Sequence, residues 1–103
     1  MPRRWARPAA WPLSFPLHPP GRPERSRLAE LEETRVPTLV VQGANDPMGR
    51  PEELPDLSHV DLAVVPDADH GLAVPKRASI SQDEAMEIVV ECTLEWVVRE
   101  VAG

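Results

Sequence analysis

The central part of the chain contains two short apolar runs, each followed by an acidic loop. Residues 38–42 form an unbroken apolar and β-branched run that ends at Gly43, and residues 60–65 form a second run that Pro66 closes. Continuous rather than alternating hydrophobicity is typical of parallel strands that are buried on both faces. We therefore predict two parallel strands, each leading into a turn-rich loop.

Shorter helical patterns lie on either side of the first run. Residues 24–33 have two leucines three positions apart among good helix formers. They predict a short amphipathic helix, which must stop before Val36-Pro37 because a residue ahead of proline avoids the helical region. Residues 51–57 predict a single helical turn, since proline suits the first helical position and acidic side chains suit the first turn.

The strongest helix signal begins at Ser81, where Ser81 and Glu84 have the spacing of a capping box. An apolar stripe follows, with glutamates 84, 87, 91 and 95 on the solvent side. The stripe consists of Ala85, Ile88, Val89, Cys92 and Trp96, and is widened by Met86, Val90, Val97 and Val101. This order of elements, strand, loop, strand, loop and long helix, predicts an α/β fold. We expect two to three parallel strands and a long C-terminal helix.

The N-terminal segment has a different composition. Residues 1–23 contain seven of the thirteen prolines, which disfavour both ladders and helices, so this segment is predicted to be an irregular arm. We divide the chain into this Pro/Arg-rich arm and an α/β part over residues 24–103. The arm includes the sequence Pro16-Leu17-His18-Pro19, whose P-x-x-P pattern leaves open a role as a ligand for an SH3-like partner.

Composition narrows the classes of function. The net charge is −6, with seven arginines and four glutamates up to residue 36 but four basic and thirteen acidic residues after it. This balance argues against general nucleic-acid binding. No run is long and apolar enough to cross a bilayer, so we expect no membrane association. A single cysteine excludes an internal disulfide and fits a reducing cytoplasm. We expect no cofactor, and the histidines and cysteine show no metal-site spacing.

The loops after the two runs contain the candidate chemistry. Asp46 follows the first run, and His70 follows the second together with Asp67 and Asp69. An acid and then a histidine past successive strand ends match the chain order of α/β-hydrolases, in which a serine precedes both. Two simpler interpretations stay open: Asn45-Asp46-Pro47 is turn chemistry in its own right, and a loop histidine is often only a surface residue.

Other side chains are less promising catalytic candidates. Ser14 lacks the flanking glycines of a nucleophile elbow, and no G-x-S-x-G occurs in the sequence. Ser79 and Ser81 are interpreted as helix caps, and His18 and His59 as structural or solvated residues. The basic pair at 76–77 could attract an anionic group but fits a solvated surface better. Cys92 and Trp96 are expected to be core residues on the helix stripe.

From about Phe15 onward the chain resembles one α/β-hydrolase family, the dienelactone-hydrolase-like group that includes testis-expressed protein 30 and the third subunit of the non-specific lethal complex. The matching words are FPLHPPGRPE at 15–24, VPTLVVQGANDPMG at 36–49 and VPDADHGLAVPKR at 65–77. The resemblance covers the C-terminal half of such a domain. It implies that Asp46 corresponds to the triad acid and His70 to the triad base, acting on a small ester-type substrate.

The same resemblance implies that the nucleophile elbow lies upstream of the PLHPP word, where this chain has only MPRRWARPAAWPLS. We therefore expect a truncated gene, a mis-called start or a fragment, with residues 1–10 foreign to the native fold. Three functions follow as expectations: a partial hydrolase that is inactive alone, a non-catalytic interaction or scaffold protein, and a small enzyme in which Asp46 and His70 activate water. With so little sheet, self-association through an exposed sheet edge is also expected.

Overall fold

The computed structural model describes residues 13–34 and 36–102. In this part of the chain, helix α1 (Leu28–Glu33) precedes strand β1 (Thr38–Gly43), and strand β2 (Val60–Val65) precedes helix α2 (Gln82–Val97). Short 3-10 turns lie at Pro23–Arg25 and Pro51–Glu53, and a π-helical segment at Val98–Ala102 continues α2. Most of the predicted arm lies outside the described residues.

The sheet is parallel, as the two apolar runs predicted. β1 pairs with β2 in the register Thr38 to Val60 through Gly43 to Val65. An isolated parallel bridge joins Leu13 to Val41 on the other side of β1, and the Ser14 amide donates to the Val41 carbonyl at 2.6 Å. The predicted α/β class, with two to three parallel strands and a long C-terminal helix, is thus confirmed.

β1 is the most buried element, and all six of its residues are buried. Side chains alternate across a strand, so Leu39 and Val41 face α2 and join a core cluster that includes Val65, Ala85 and Trp96. Trp96 is only 2% exposed, in agreement with its predicted place in the core. The cluster fixes α2 against one face of the sheet.

The expectation that both strands are buried is wrong for β2. Leu62 and Val64 are each 41% exposed and lie opposite Val40 and Gln42 in the register. Among the described residues, β2 has β1 as its only neighbouring strand, and α2 packs on the opposite face. An apolar run therefore indicates a strand here, without indicating how completely the strand is covered.

Two helix predictions also need correction. The helix predicted over 24–33 begins only at Leu28, because Ser26 is extended and its hydroxyl accepts the Leu28 amide at 3.1 Å, a local bond that competes with helix continuation. The predicted apolar stripe of α2 is only partly covered by the rest of the protein. Met86 is 39% exposed and Val90 is 54% exposed. The capping box at the start of α2 is confirmed: Ser81 and Glu84 exchange bonds of 3.1 and 2.9 Å.

Residues 13–18 are irregular but packed. Leu17 and His18 are buried, and backbone bonds join His18 to Met48 and Arg27 to Leu17. This segment therefore lies against the loop that follows β1. Within the described residues, no helix combines the length and the apolar character needed to span a membrane.

Candidate functional site

The loops after β1 and β2 lie side by side at one edge of the sheet, because parallel strands bring their carboxyl ends together. The Ala44 amide donates to the Val65 carbonyl at 3.0 Å, and the Asn45 amide donates to the Ala68 carbonyl at 2.9 Å. A Cβ at Gly43 would overlap the carbonyl oxygens of Ala68 and Asp69. Glycine at this position thus allows the two backbones to approach closely.

This approach brings Asp46 and His70 together. The His70 Nδ1 atom lies 2.9 Å from Asp46 Oδ2. Asp46 is completely buried, whereas the His70 side chain is 38% exposed. A carboxylate can only accept, so we assign the proton of this bond to Nδ1. The Nε2 atom then carries a free lone pair and has no hydrogen-bond partner among the described residues.

Local turns fix each of the two side chains. The Met48 amide donates to Asp46 Oδ1 at 2.8 Å, which closes a turn over the acid. In the other loop, Asp69 Oδ1 accepts the amides of Gly71 at 2.9 Å and Ala73 at 3.0 Å. Asp69 thus shapes the turn that presents His70.

Gln42 is a part of the site that the sequence analysis missed. Its side chain is fully buried at the end of β1, and its Nε2 atom lies 3.2 Å from Asp46 Oδ2, 2.7 Å from the Gly49 carbonyl and 2.9 Å from the Phe15 carbonyl. Its Oε1 accepts the Phe15 amide at 2.8 Å. A polar residue within an apolar run was the available signal, since a buried amide needs hydrogen-bond partners.

A second histidine braces the loop of Asp46. His18 is 6% exposed, with Nδ1 2.9 Å from the Pro19 carbonyl and Nε2 2.8 Å from Glu53 Oε1. The Pro19 carbonyl and the Glu53 carboxylate raise the pKa of His18, because both ring nitrogens face acceptors and only the imidazolium donates twice. The Arg50 amide and His18 lower the pKa of Glu53. His18 is therefore structural, as predicted.

The other candidate residues lie apart from the Asp46–His70 pair. The Ser14 hydroxyl is buried without a hydrogen-bond partner, at a positive φ of 66°. The Ser79 hydroxyl donates to Asp67 at 3.1 Å, so its interpretation as a helix cap is wrong, whereas Ser81 does cap α2. His59 contacts the Leu31 carbonyl at 2.9 Å. Cys92 is only half-buried, which corrects its expected place in the core.

Comparison with known families agrees with this fold. A family model described as an alpha/beta hydrolase domain matches residues 4–98. The chain belongs to this alpha/beta hydrolase domain family. The match begins within the segment that the sequence analysis set apart as foreign to the fold. No curated protein and no solved structure matches the chain.

In this hydrolase domain, the contact between Asp46 and His70 can perform one elementary step. The exposed Nε2 can accept a proton from a group in solvent, while Asp46 holds the ring in the required tautomer and stabilises the imidazolium that forms. The described residues include no group of three or more His, Cys, Asp or Glu side chains arranged to hold a metal ion. The contact with Asp46 suits His70 to proton transfer.

Proposed function

We propose that Asp46 and His70 are the acid and base of a hydrolase site that acts on small ester or acyl substrates. One observation carries the proposal: His70 Nδ1 lies 2.9 Å from the buried carboxylate of Asp46 at the carboxyl edge of the sheet. The membership in the alpha/beta hydrolase domain family and the chain order of acid before histidine support it. The words FPLHPPGRPE and VPDADHGLAVPKR favour the dienelactone-hydrolase-like group within this fold.

In the proposed reaction, His70 Nε2 takes the proton from a nucleophilic hydroxyl as that oxygen attacks the ester carbonyl. His70 then passes the proton to the leaving group, and the cycle repeats with water. Asp46 stays ionised throughout and holds the Nδ1 proton. These two roles match the burial of the pair, because the base must meet the substrate while the acid only has to orient the base.

The nucleophile is the component that these 103 residues do not supply, because their sequence has no G-x-S-x-G. Ser14 does not replace it, since its hydroxyl is shielded from solvent and makes no hydrogen bond to His70. We therefore propose that this chain on its own does not turn over esters. His70 with water would give rates close to those of free imidazole.

The test is hydrolysis of a nitrophenyl ester by the chain and by His70→Ala, with free imidazole at equal concentration as the reference. We expect no rate above that reference. Strong turnover that His70→Ala abolishes would refute the proposed incompleteness. In parallel, ¹⁵N NMR of the His70 ring should show the proton on Nδ1, and Asp46→Ala should remove the preference for that tautomer because it removes the acceptor. An unchanged tautomer preference in Asp46→Ala would refute the acid–base pair.

The second candidate function is a non-catalytic interaction protein that associates with a second copy of itself. The observation that favours it is the open edge of β2, where Leu62 and Val64 are each 41% exposed next to unpaired backbone groups of the described sheet. Sedimentation should then depend on concentration, and Leu62→Lys should abolish the dependence. A monomer at all concentrations would leave this function without support.

A further inference from the structure

We propose that Gln42 is a positioning residue for the Asp46–His70 pair: its side-chain amide holds the carboxylate of Asp46 in the orientation that receives His70. This inference rests on the proposed function, because it assigns a role within the same site. Gln42 and Asp46 are both fully buried, and the Asp46 oxygen that Gln42 contacts at 3.2 Å is the one that also accepts from His70.

The surroundings of Gln42 fix which way its amide points. Three oxygens surround Nε2, from Phe15, Gly49 and Asp46, and share its two N–H groups, while one backbone amide faces Oε1. Rotating the amide by half a turn would place its carbonyl against three acceptors and its NH₂ against a donor. The orientation that directs a donor at Asp46 is therefore the only one that the hydrogen bonding allows.

The Gln42 contacts also join the loop of Asp46 to a segment that is distant in the sequence. Phe15 belongs to the segment beside β1 and lies 27 positions away in sequence, while Gly49 belongs to the loop of Asp46 itself. The glutamine amide thus holds the Asp46 loop against residues 15–18. Movement of that loop would shift the carboxylate relative to the imidazole.

Removing the amide should release Asp46 Oδ2 from its second donor. With Gln42 present, Oδ1 is held by the Met48 amide and Oδ2 by Gln42 and His70, so both oxygens have fixed donors. Without Gln42, the half-exposed His70 is the only donor that remains on Oδ2. The carboxylate can then rotate more easily. We expect the bond from His70 Nδ1 to open more often as a result.

The test compares Gln42→Met, which keeps the chain length but removes both polar groups, with Val40→Ala. Val40 is also fully buried, belongs to the same strand and lies on the same face, but has no polar side-chain atom. The readout is solvent exchange of the His70 Nδ1 proton by NMR. Gln42→Met should speed this exchange by about tenfold relative to Val40→Ala, the effect of losing one hydrogen bond of ordinary strength. Equal exchange rates in the two variants would overturn the inference.

A measurement on the unsubstituted chain covers the case in which Gln42→Met does not fold. The Gln42 side-chain NH₂ should show slow exchange and a scalar coupling across the hydrogen bond to the Asp46 carboxyl carbon. Absence of this coupling would overturn the inference. The outcome for the proposed function stays distinct: if Asp46→Ala leaves the His70 tautomer preference unchanged, the pair itself fails, whereas loss of the Gln42 coupling alone removes only the positioning role.

Discussion

The burial of the two site residues predicts that they contribute very differently to stability, although they share one hydrogen bond. Asp46 is fully buried and accepts bonds from Met48, Gln42 and His70 at 2.8, 3.2 and 2.9 Å. In Asp46→Ala, the part-buried Met48 amide loses its acceptor, whereas Gln42 Nε2 keeps the Gly49 and Phe15 carbonyls as acceptors. Leaving that amide unpaired costs roughly 1–3 kcal/mol and losing the Gln42 bond costs about 1 kcal/mol more, so we expect a loss of about 3 kcal/mol in the free energy of unfolding.

His70→Ala should cost much less. The His70 side chain is 38% exposed, so water can reach Asp46 Oδ2 once the imidazole is gone, and Gln42 and Met48 still donate to the carboxylate. We expect a loss of about 1 kcal/mol, the net contribution of one hydrogen bond. Urea unfolding followed by circular dichroism at the helix band measures both values. Equal losses in the two variants, or a larger loss in His70→Ala, would refute the argument that burial separates acid from base.

Three further outcomes are expected. Gly43→Ala should abolish the His70 Nδ1 resonance, because the new Cβ overlaps the carbonyls of Ala68 and Asp69. Gly21→Ala strains a positive φ of 73° but overlaps no atom, so this control should leave the resonance in place. Trp96→Ala should lower the free energy of unfolding by about 3–5 kcal/mol, while Leu94→Ala on the exposed side of α2 should change it by less than about 0.5 kcal/mol. The raised pKa of His18 stabilises the fold fully below its ordinary value of 6.5, and this contribution is lost as the pH rises through the raised pKa. The lowered pKa of Glu53 stabilises the fold above its ordinary value of 4.5, and this contribution is lost as the pH falls through the lowered pKa, so the stability difference between the chain and His18→Gln should be largest between these two values.

The features that the sequence predicted depend on short-range patterns. The run at 38–42 and the run at 60–65 form the strands, and parallel pairing places the residues just past their ends at one edge of the sheet. This reasoning is sufficient to predict that Asp46 and His70 meet. The start of α2 was equally predictable, because the capping box at Ser81 involves residues three positions apart.

The features that the sequence did not predict depend on contacts between distant segments. Gln42 forms its bonds with Phe15 across 27 positions, and nothing in the run around it indicates where those partners lie. Exposure of Leu62 and Val90 was missed for a related reason, since hydrophobic periodicity indicates which face of an element is apolar and not whether another element covers that face. The helix break at Ser26 was missed because a side-chain bond to the Leu28 amide outweighed good helix formers.

The order of the strands accounts for the difference in burial between Asp46 and His70. β1 has β2 on one side and the Leu13 bridge on the other, so its end is surrounded by protein and Asp46 is removed from water. β2 has a single neighbour in the described sheet, so the loop beyond it is more open and His70 keeps one side of its ring in solvent. A residue that only orients and stabilises an imidazole benefits from exclusion of water, because its electrostatic interaction is then stronger. A residue that exchanges protons with a substrate must be accessible. The positions of the two strands in the sheet therefore bury Asp46 and leave His70 accessible, which is the arrangement that the proposed roles of acid and base require.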